Sequence, residues 1–298
     1  VTNLIELLSL VAVQRSALGL LIGAVSLPVV GVFIVGLDII AVRFAMMHVA
    51  LLGIAVGLLT GLDPVLCGLL ACGLAGAGVA PLARRPTGLT GAMGLMMTFA
   101  IAGALLVLSV SGVNATGAFA LLWGSILATR TVDLVVLAVL AVVVHGLFWR
   151  KRRKLGLVLF DRELALCSGV NADRLVLVLL VVTAVAIGAA IRLTGALLVD
   201  ALTLLPALGA RNLGRSLRSM VIWSIVLGLL GNALGFVVAL ALDQPLGPVL
   251  VLVAGALTLL TYLIPGGVLD ALSPSHPDHP GGRPAGVARV RAERLRQH

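Results

Sequence analysis

Residues 132–154 read VDLVVLAVLAVVVHGLFWRKRRK, an apolar run that ends at Trp149 and is closed by five consecutive cations, Arg150 to Lys154. A helix needs about 20 mostly apolar residues to cross the hydrocarbon of a bilayer, and this run has that length. The apolar residues are continuous. A barrel strand would alternate apolar and polar positions over about ten residues, so an outer-membrane barrel does not fit. A block of cations directly after a span marks its cytoplasmic end.

The rest of the chain repeats this pattern. Of its 298 residues, 60% are hydrophobic, 11% are charged and 4% are aromatic, and the mean hydropathy is +1.19. A soluble domain carries about a quarter charged residues, so a cytosolic enzyme is excluded. Further apolar runs fall at 17–40, 45–62, 65–83, 91–112, 175–191, 220–242 and 247–264, with a Gly/Pro-bounded stretch at 194–210. These predict an all-α polytopic membrane protein with 8–9 transmembrane helices. Three parts follow: a short interfacial segment at 1–15, a transmembrane domain at 16–266, and a disordered basic cytoplasmic tail at 267–298 that is poor in apolar residues.

The net charge of +9 comes chiefly from 150–154, 211–218 and the tail from Arg283 onward. Placed inside, these segments read as positive-inside flanks, and nucleic acid is not an expected partner. The 150–174 segment is expected to be a cytoplasmic loop. With nine spans the amino terminus falls outside. The chain has no G-x-x-x-x-G-K-[ST], so a P-loop is absent and any ATP-driven step needs another subunit. Cys67, Cys72 and Cys167 form neither a disulfide framework nor a paired metal motif.

Ionisable residues at bilayer depth cost several kcal/mol unless they face protein or water, which makes them functional candidates. His48 and Asp200 stand out. Neutral imidazole is a ligand for Zn, Mn or Fe, while the other reading of His48 is a hydrogen bond to a backbone carbonyl. Asp200 can be a ligand, a proton carrier or a partner for Arg192. Met47, beside Met46, could offer a thioether, although methionine is also a flexible filler of helix contacts. Asp38 is expected to pair with Arg43, and Asn232 and Thr203 to bond between helices. His276, Asp278 and His279 sit in the flexible tail.

In chain order, several segments are similar to one family, the integral-membrane permeases of ABC importers for zinc, manganese and iron. Gly31-Val32-Phe33 through His48 and Leu51-Leu52-Gly53 resemble its first two helices. Leu122-Trp123-Gly124-Ser125-Ile126-Leu127 resembles its short leucine-aromatic-glycine segment, and Phe160-Asp161 with Ala165 and Gly169 its cytoplasmic loop. Thr194-Gly195 through Leu205-Pro206-Ala207 and Arg211, and Asp243-Gln244-Pro245-Leu246-Gly247, complete the set over about 14–265. Two positions depart from the pattern. Phe44 stands where the family has Asp four residues before the histidine, and Asp200 stands where it has a small residue.

The resemblance implies a type II-like ABC importer permease of the bacterial plasma membrane that performs no catalysis and binds no permanent cofactor. The transported species is a divalent metal ion. Implied partners are a cytosolic ABC ATPase, an extracytoplasmic metal-binding protein, a second copy of the permease and the bilayer. His48 is the matched metal residue. Asp200 and Met47 are additional candidates, and Phe160, Asp161, Arg211, Arg215 and Arg218 are candidates for contact with the ATPase. Two alternatives stay open at this point: a stand-alone secondary transporter or channel with Asp200 in proton coupling, and an importer of this fold for a non-metal substrate.

Overall fold

The computed structural model describes residues 10–81, 88–112, 130–160 and 162–263. These form nine helices: α1 (Val11–Gly36), α2 (Ile40–Thr60), α3 (Pro64–Val79), α4 (Gly88–Val110), α5 (Thr131–Phe160), α6 (Arg162–Cys167), α7 (Ala172–Leu213), α8 (Leu217–Ala241) and α9 (Leu246–Leu263). Seven stretches are long and apolar enough to cross a membrane, and the 16-residue α3 is a shorter apolar helix. The segments 1–9, 82–87, 113–129 and 264–298 lie outside the described residues. With them lie Leu122 to Leu127, Asp161, and the expected basic tail with His276, Asp278 and His279.

Local chemistry sets the helix ends. Gly61 closes α2 at φ 74°, a left-handed conformation that glycine adopts without a Cβ penalty. Two residues on, the Asp63 carboxylate accepts from the backbone N–H of Val65 at 2.8 Å and Leu66 at 3.0 Å, and Pro64 occupies the first helical position. Asn171 caps α7 through Arg174 N–H, and Ser216 caps α8 through Ser219 N–H.

The expected 150–174 loop is corrected. Helix α5 runs unbroken through Arg150 to Lys154 and ends at Phe160, and α6 follows directly. Lysine and arginine are good helix formers, and nothing between Trp149 and Phe160 breaks the helix, so α5 continues out of the hydrocarbon. The 175–191 and 194–210 stretches are two helical segments, as read from the sequence, joined across a kink at Gly195 with φ 77° and ψ 163° and labelled together as α7. The basic 211–219 connection shrinks to the link Gly214–Arg215–Ser216 between α7 and α8.

Helix α7 is the centre of the bundle and packs against α1, α2, α3, α5, α8 and α9. Close approaches between backbones make this possible. A side chain at Gly31 of α1 would strike the Thr203 carbonyl of α7, and one at Gly228 of α8 would come within 2.7 Å of Pro28 on α1. Small residues at such crossings supply the van der Waals contact that holds helices together where lipid offers no hydrophobic drive.

Candidate functional site

His48 sits two turns into α2 and is 7% exposed. Its Nδ1 lies 2.8 Å from the Phe44 carbonyl oxygen one turn earlier. A carbonyl can only accept, so Nδ1 carries the proton, and in the neutral ring Nε2 keeps its lone pair. A backbone carbonyl that fixes the tautomer of a histidine leaves the other nitrogen available to a metal ion. The two readings of His48 from sequence are therefore compatible: the hydrogen bond uses one nitrogen and leaves the second.

The α2 segment around His48 is held from two sides. The Cys72 thiol of α3 lies 3.6 Å from the carbonyl oxygen of Met46. Cys72 is fully buried and fits against Gly188 of α7, where an added Cβ would lie 3.0 Å from Sγ. Gly68, Cys72 and Gly76 follow at intervals of four on one face of α3, with Ile54 of α2 near Gly68 and Ala184 of α7 near Gly76. Met46 is fully buried, whereas Met47 is half-buried.

Arg43 departs from expectation. It is 2% exposed, and its guanidinium carbon stands 4.1 Å from the centroid of the Phe44 ring. Asp38 is exposed in the α1–α2 turn, at φ 53°.

Asp200 lies on α7 five residues beyond the Gly195 interruption, and its side chain is outside the described residues. The α7 segment that carries it is tied to α9. Thr258 Oγ1 stands 2.9 Å both from the Leu205 carbonyl oxygen of α7 and from the Ala254 carbonyl oxygen of its own helix, and Asn212 Nδ2 donates to Thr261 Oγ1 at 3.2 Å. Asn212 thus makes an interhelical side-chain bond of the kind expected of Asn232 and Thr203. Asn232 instead donates to Gly228 O at 2.7 Å and Thr203 to Val199 O, each within its own helix. Either hydroxyl or amide can reach back one turn, so a polar residue in a span does not by itself announce a partner helix.

Among the described residues no three of His, Cys, Asp and Glu come together. Arg211, Arg215 and Arg218 are all exposed; Arg215 lies in the short α7–α8 link, and Arg211 and Arg218 flank it. Phe160 ends α5. Sequence reasoning missed Cys72 as a support for α2. The signal was present in the Gly68-x-x-x-Cys72-x-x-x-Gly76 spacing, which marks a close helix contact.

Comparison with known proteins places this bundle. The chain is 27% identical over 210 residues to the "Probable metal transport system membrane protein" of Thermotoga maritima, a match covering 70% of this chain and 73% of that protein. It is 28% identical over 143 residues to the high-affinity zinc uptake system membrane protein ZnuB of Haemophilus influenzae, covering 47% of this chain and 54% of that protein. The fold matches the structure of PsaBC from Streptococcus pneumoniae in complex with Fab with a TM-score of 0.77 at 23% identity, over 90% of this chain and 98% of that one. Residues 10–264 match the model of the ABC 3 transport family. With its apolar helices and this match over nearly the whole bundle, the chain belongs to the ABC 3 transport family as a multi-pass bacterial membrane permease subunit.

Proposed function

We propose that this permease forms the path of an ATP-driven importer for a divalent transition metal, with His48 on that path. The observation that carries the reading is the buried imidazole whose Nδ1 is committed to the Phe44 carbonyl, leaving Nε2 as a neutral nitrogen ligand. The zinc and metal transport named for the relatives supports the same cargo. Asp200 is the second candidate ligand and Met47 a weaker one. One His48 and one Asp200 from each of two copies supply up to four ligands, enough for a tetrahedral zinc site, so the working unit is a homodimer.

ATP hydrolysis belongs to a separate cytosolic ATPase, which docks at Arg211, Arg215, Arg218, Phe160 and Asp161. An extracytoplasmic binding protein delivers the ion. Closing of the ATPase pair rocks the helices and moves the opening from one membrane face to the other, and no covalent chemistry occurs in this chain. Segment 1–15 lies at the interface and 267–298 is a cytoplasmic tail.

The test is accumulation of Zn, Mn and Fe, measured by elemental analysis in cells carrying the permease with its ATPase and binding protein. The expected result is uptake of one metal that is lost with an ATPase-dead partner and reduced by His48→Ala and by Asp200→Asn. Uptake of no metal overturns the cargo. Unchanged uptake in both variants overturns the ligand assignment. Uptake that ignores the ATPase would instead favour a stand-alone transporter.

A further inference from the structure

Helix α5 carries a feature that transport does not use. It is 30 residues long, or about 45 Å at 1.5 Å per residue, against about 30 Å of hydrocarbon. Its last third therefore stands at and beyond the headgroups. Arg150, Arg152, Arg153 and Lys154 are exposed there and Lys151 is half-buried, with none paired to a carboxylate among the described residues. Arg152 stacks 5.6 Å from the ring centroid of Trp149, which is itself exposed, as at a membrane interface.

The apolar half of the same helix borders a groove of about 370 Å³ between α3, α5 and α7, lined among others by Leu69, Val139, Val143, Val182 and Val185. Val139, Val143, Gly146, Arg150 and Arg153 follow one another at steps of three or four, and Lys154 lies four residues after Arg150, so they run down one face of α5. Gly146 stands between the groove and the cations, and a Cβ there would meet nothing within 4 Å. The groove is thus open along the helix toward the cationic cluster. From Val143 to Arg150 is about 10 Å.

We propose that this face of α5 is a binding site for an anionic phospholipid, with the phosphate against Arg150, Arg153 and Lys154 and one acyl chain in the α3–α5–α7 groove. Two independent features agree on that occupant. The cations lie at headgroup depth where a phosphate is found, and the apolar groove beside them is continuous with the bilayer interior, since Val139 and Val143 are themselves exposed. Basic clusters at the cytoplasmic end of a span attract anionic lipid. A zwitterionic lipid gains the groove but not the charge.

The experiment uses the full chain in detergent with spin-labelled phosphatidylglycerol or spin-labelled phosphatidylcholine, and reads the fraction of motionally restricted lipid. The expected result is preferential retention of phosphatidylglycerol. Each basic residue near a charged surface is worth about fivefold. Arg150→Gln with Arg153→Gln and Lys154→Gln therefore weakens phosphatidylglycerol roughly a hundredfold and leaves phosphatidylcholine unchanged. Lysine in place of both arginines keeps the preference, which separates lost charge from lost folding. Gly146→Trp blocks the way to the groove and lowers retention of both lipids. Equal retention of the two lipids by the wild type overturns the proposal. So does a neutralised cluster that releases a co-purifying ATPase while lipid retention stays the same, because the cations would then be a protein dock.

Discussion

Gly76 and Gly78 lie two residues apart on α3 and offer a matched pair of substitutions. A Cβ at Gly76 would sit 2.9 Å from Ala184 Cβ, 3.1 Å from Leu180 O and 3.2 Å from Val181 Cα, all on α7. Optimal carbon contacts are about 3.5–4.0 Å, so the methyl is short of room by roughly half an ångström or more. Two of the three atoms it meets are backbone and cannot rotate away. Helix α3 must therefore withdraw from α7, at an overpacking cost of about 1–3 kcal/mol. At Gly78 a Cβ meets nothing within 4 Å. Alanine there gains about 1 kcal/mol of helix propensity. Both variants gain that propensity, so Gly76→Ala should be less stable than Gly78→Ala by the overpacking cost, about 1–3 kcal/mol. Thermal unfolding of the detergent-solubilised chain, followed by loss of the monodisperse chromatographic peak, measures the difference. Cys72 shares the same face of α3, so its withdrawal should also raise the maleimide labelling of Cys72 in Gly76→Ala. Equal melting and equal labelling of the two variants would refute the packing argument.

Three further outcomes follow from local geometry. Gly195→Ala forces a Cβ into the φ 77°, ψ 163° conformation, at a cost of about 1–3 kcal/mol, and should lower both the melting temperature and metal uptake. Asp63→Ala removes the acceptor for Val65 and Leu66 N–H and should cost about 1 kcal/mol, with faster amide hydrogen exchange at those two residues than in the wild type. Thr258→Val removes the side-chain link to Leu205 on α7 and should cost about 0.6 kcal/mol in a denaturation series, whereas Leu205, whose backbone accepts the bond, should tolerate Leu205→Ile.

Apolar run length made the bundle legible in sequence, and motif order made the family legible, because both are properties of single segments. Where segments end was harder to read. The cations after Trp149 look like a loop to a hydropathy argument, yet Arg150 to Lys154 are helical, since solvation and helix formation are separate preferences. The α7 kink was bracketed correctly by the separate 175–191 and 194–210 stretches, because the residue at the kink, Gly195, is the type that a positive φ favours. His48 stood out as an imidazole within a span. Its fixed tautomer depends on a carbonyl at i−4 that every helix offers, so the ring's orientation was needed to find it. Cys72 escaped notice for another reason: its contacts are Met46 and Gly188, far apart in the chain.

The packing of α1 also bears on how the chain is made. Its partners in the finished bundle are α5, α7 and α8, with little contact to α2 beside it. At about 5–20 residues per second, the ribosome needs on the order of ten seconds to get from Gly36 to Ala172. During that interval α1 waits in lipid without α7 and α8, which will cover much of it. Its sequence suits the wait: the Ser16 and Ser26 hydroxyls donate to the Ala12 and Ile22 carbonyls of their own helix, at 2.7 and 2.9 Å. A helix whose hydroxyls are already satisfied can be inserted early and assembled late.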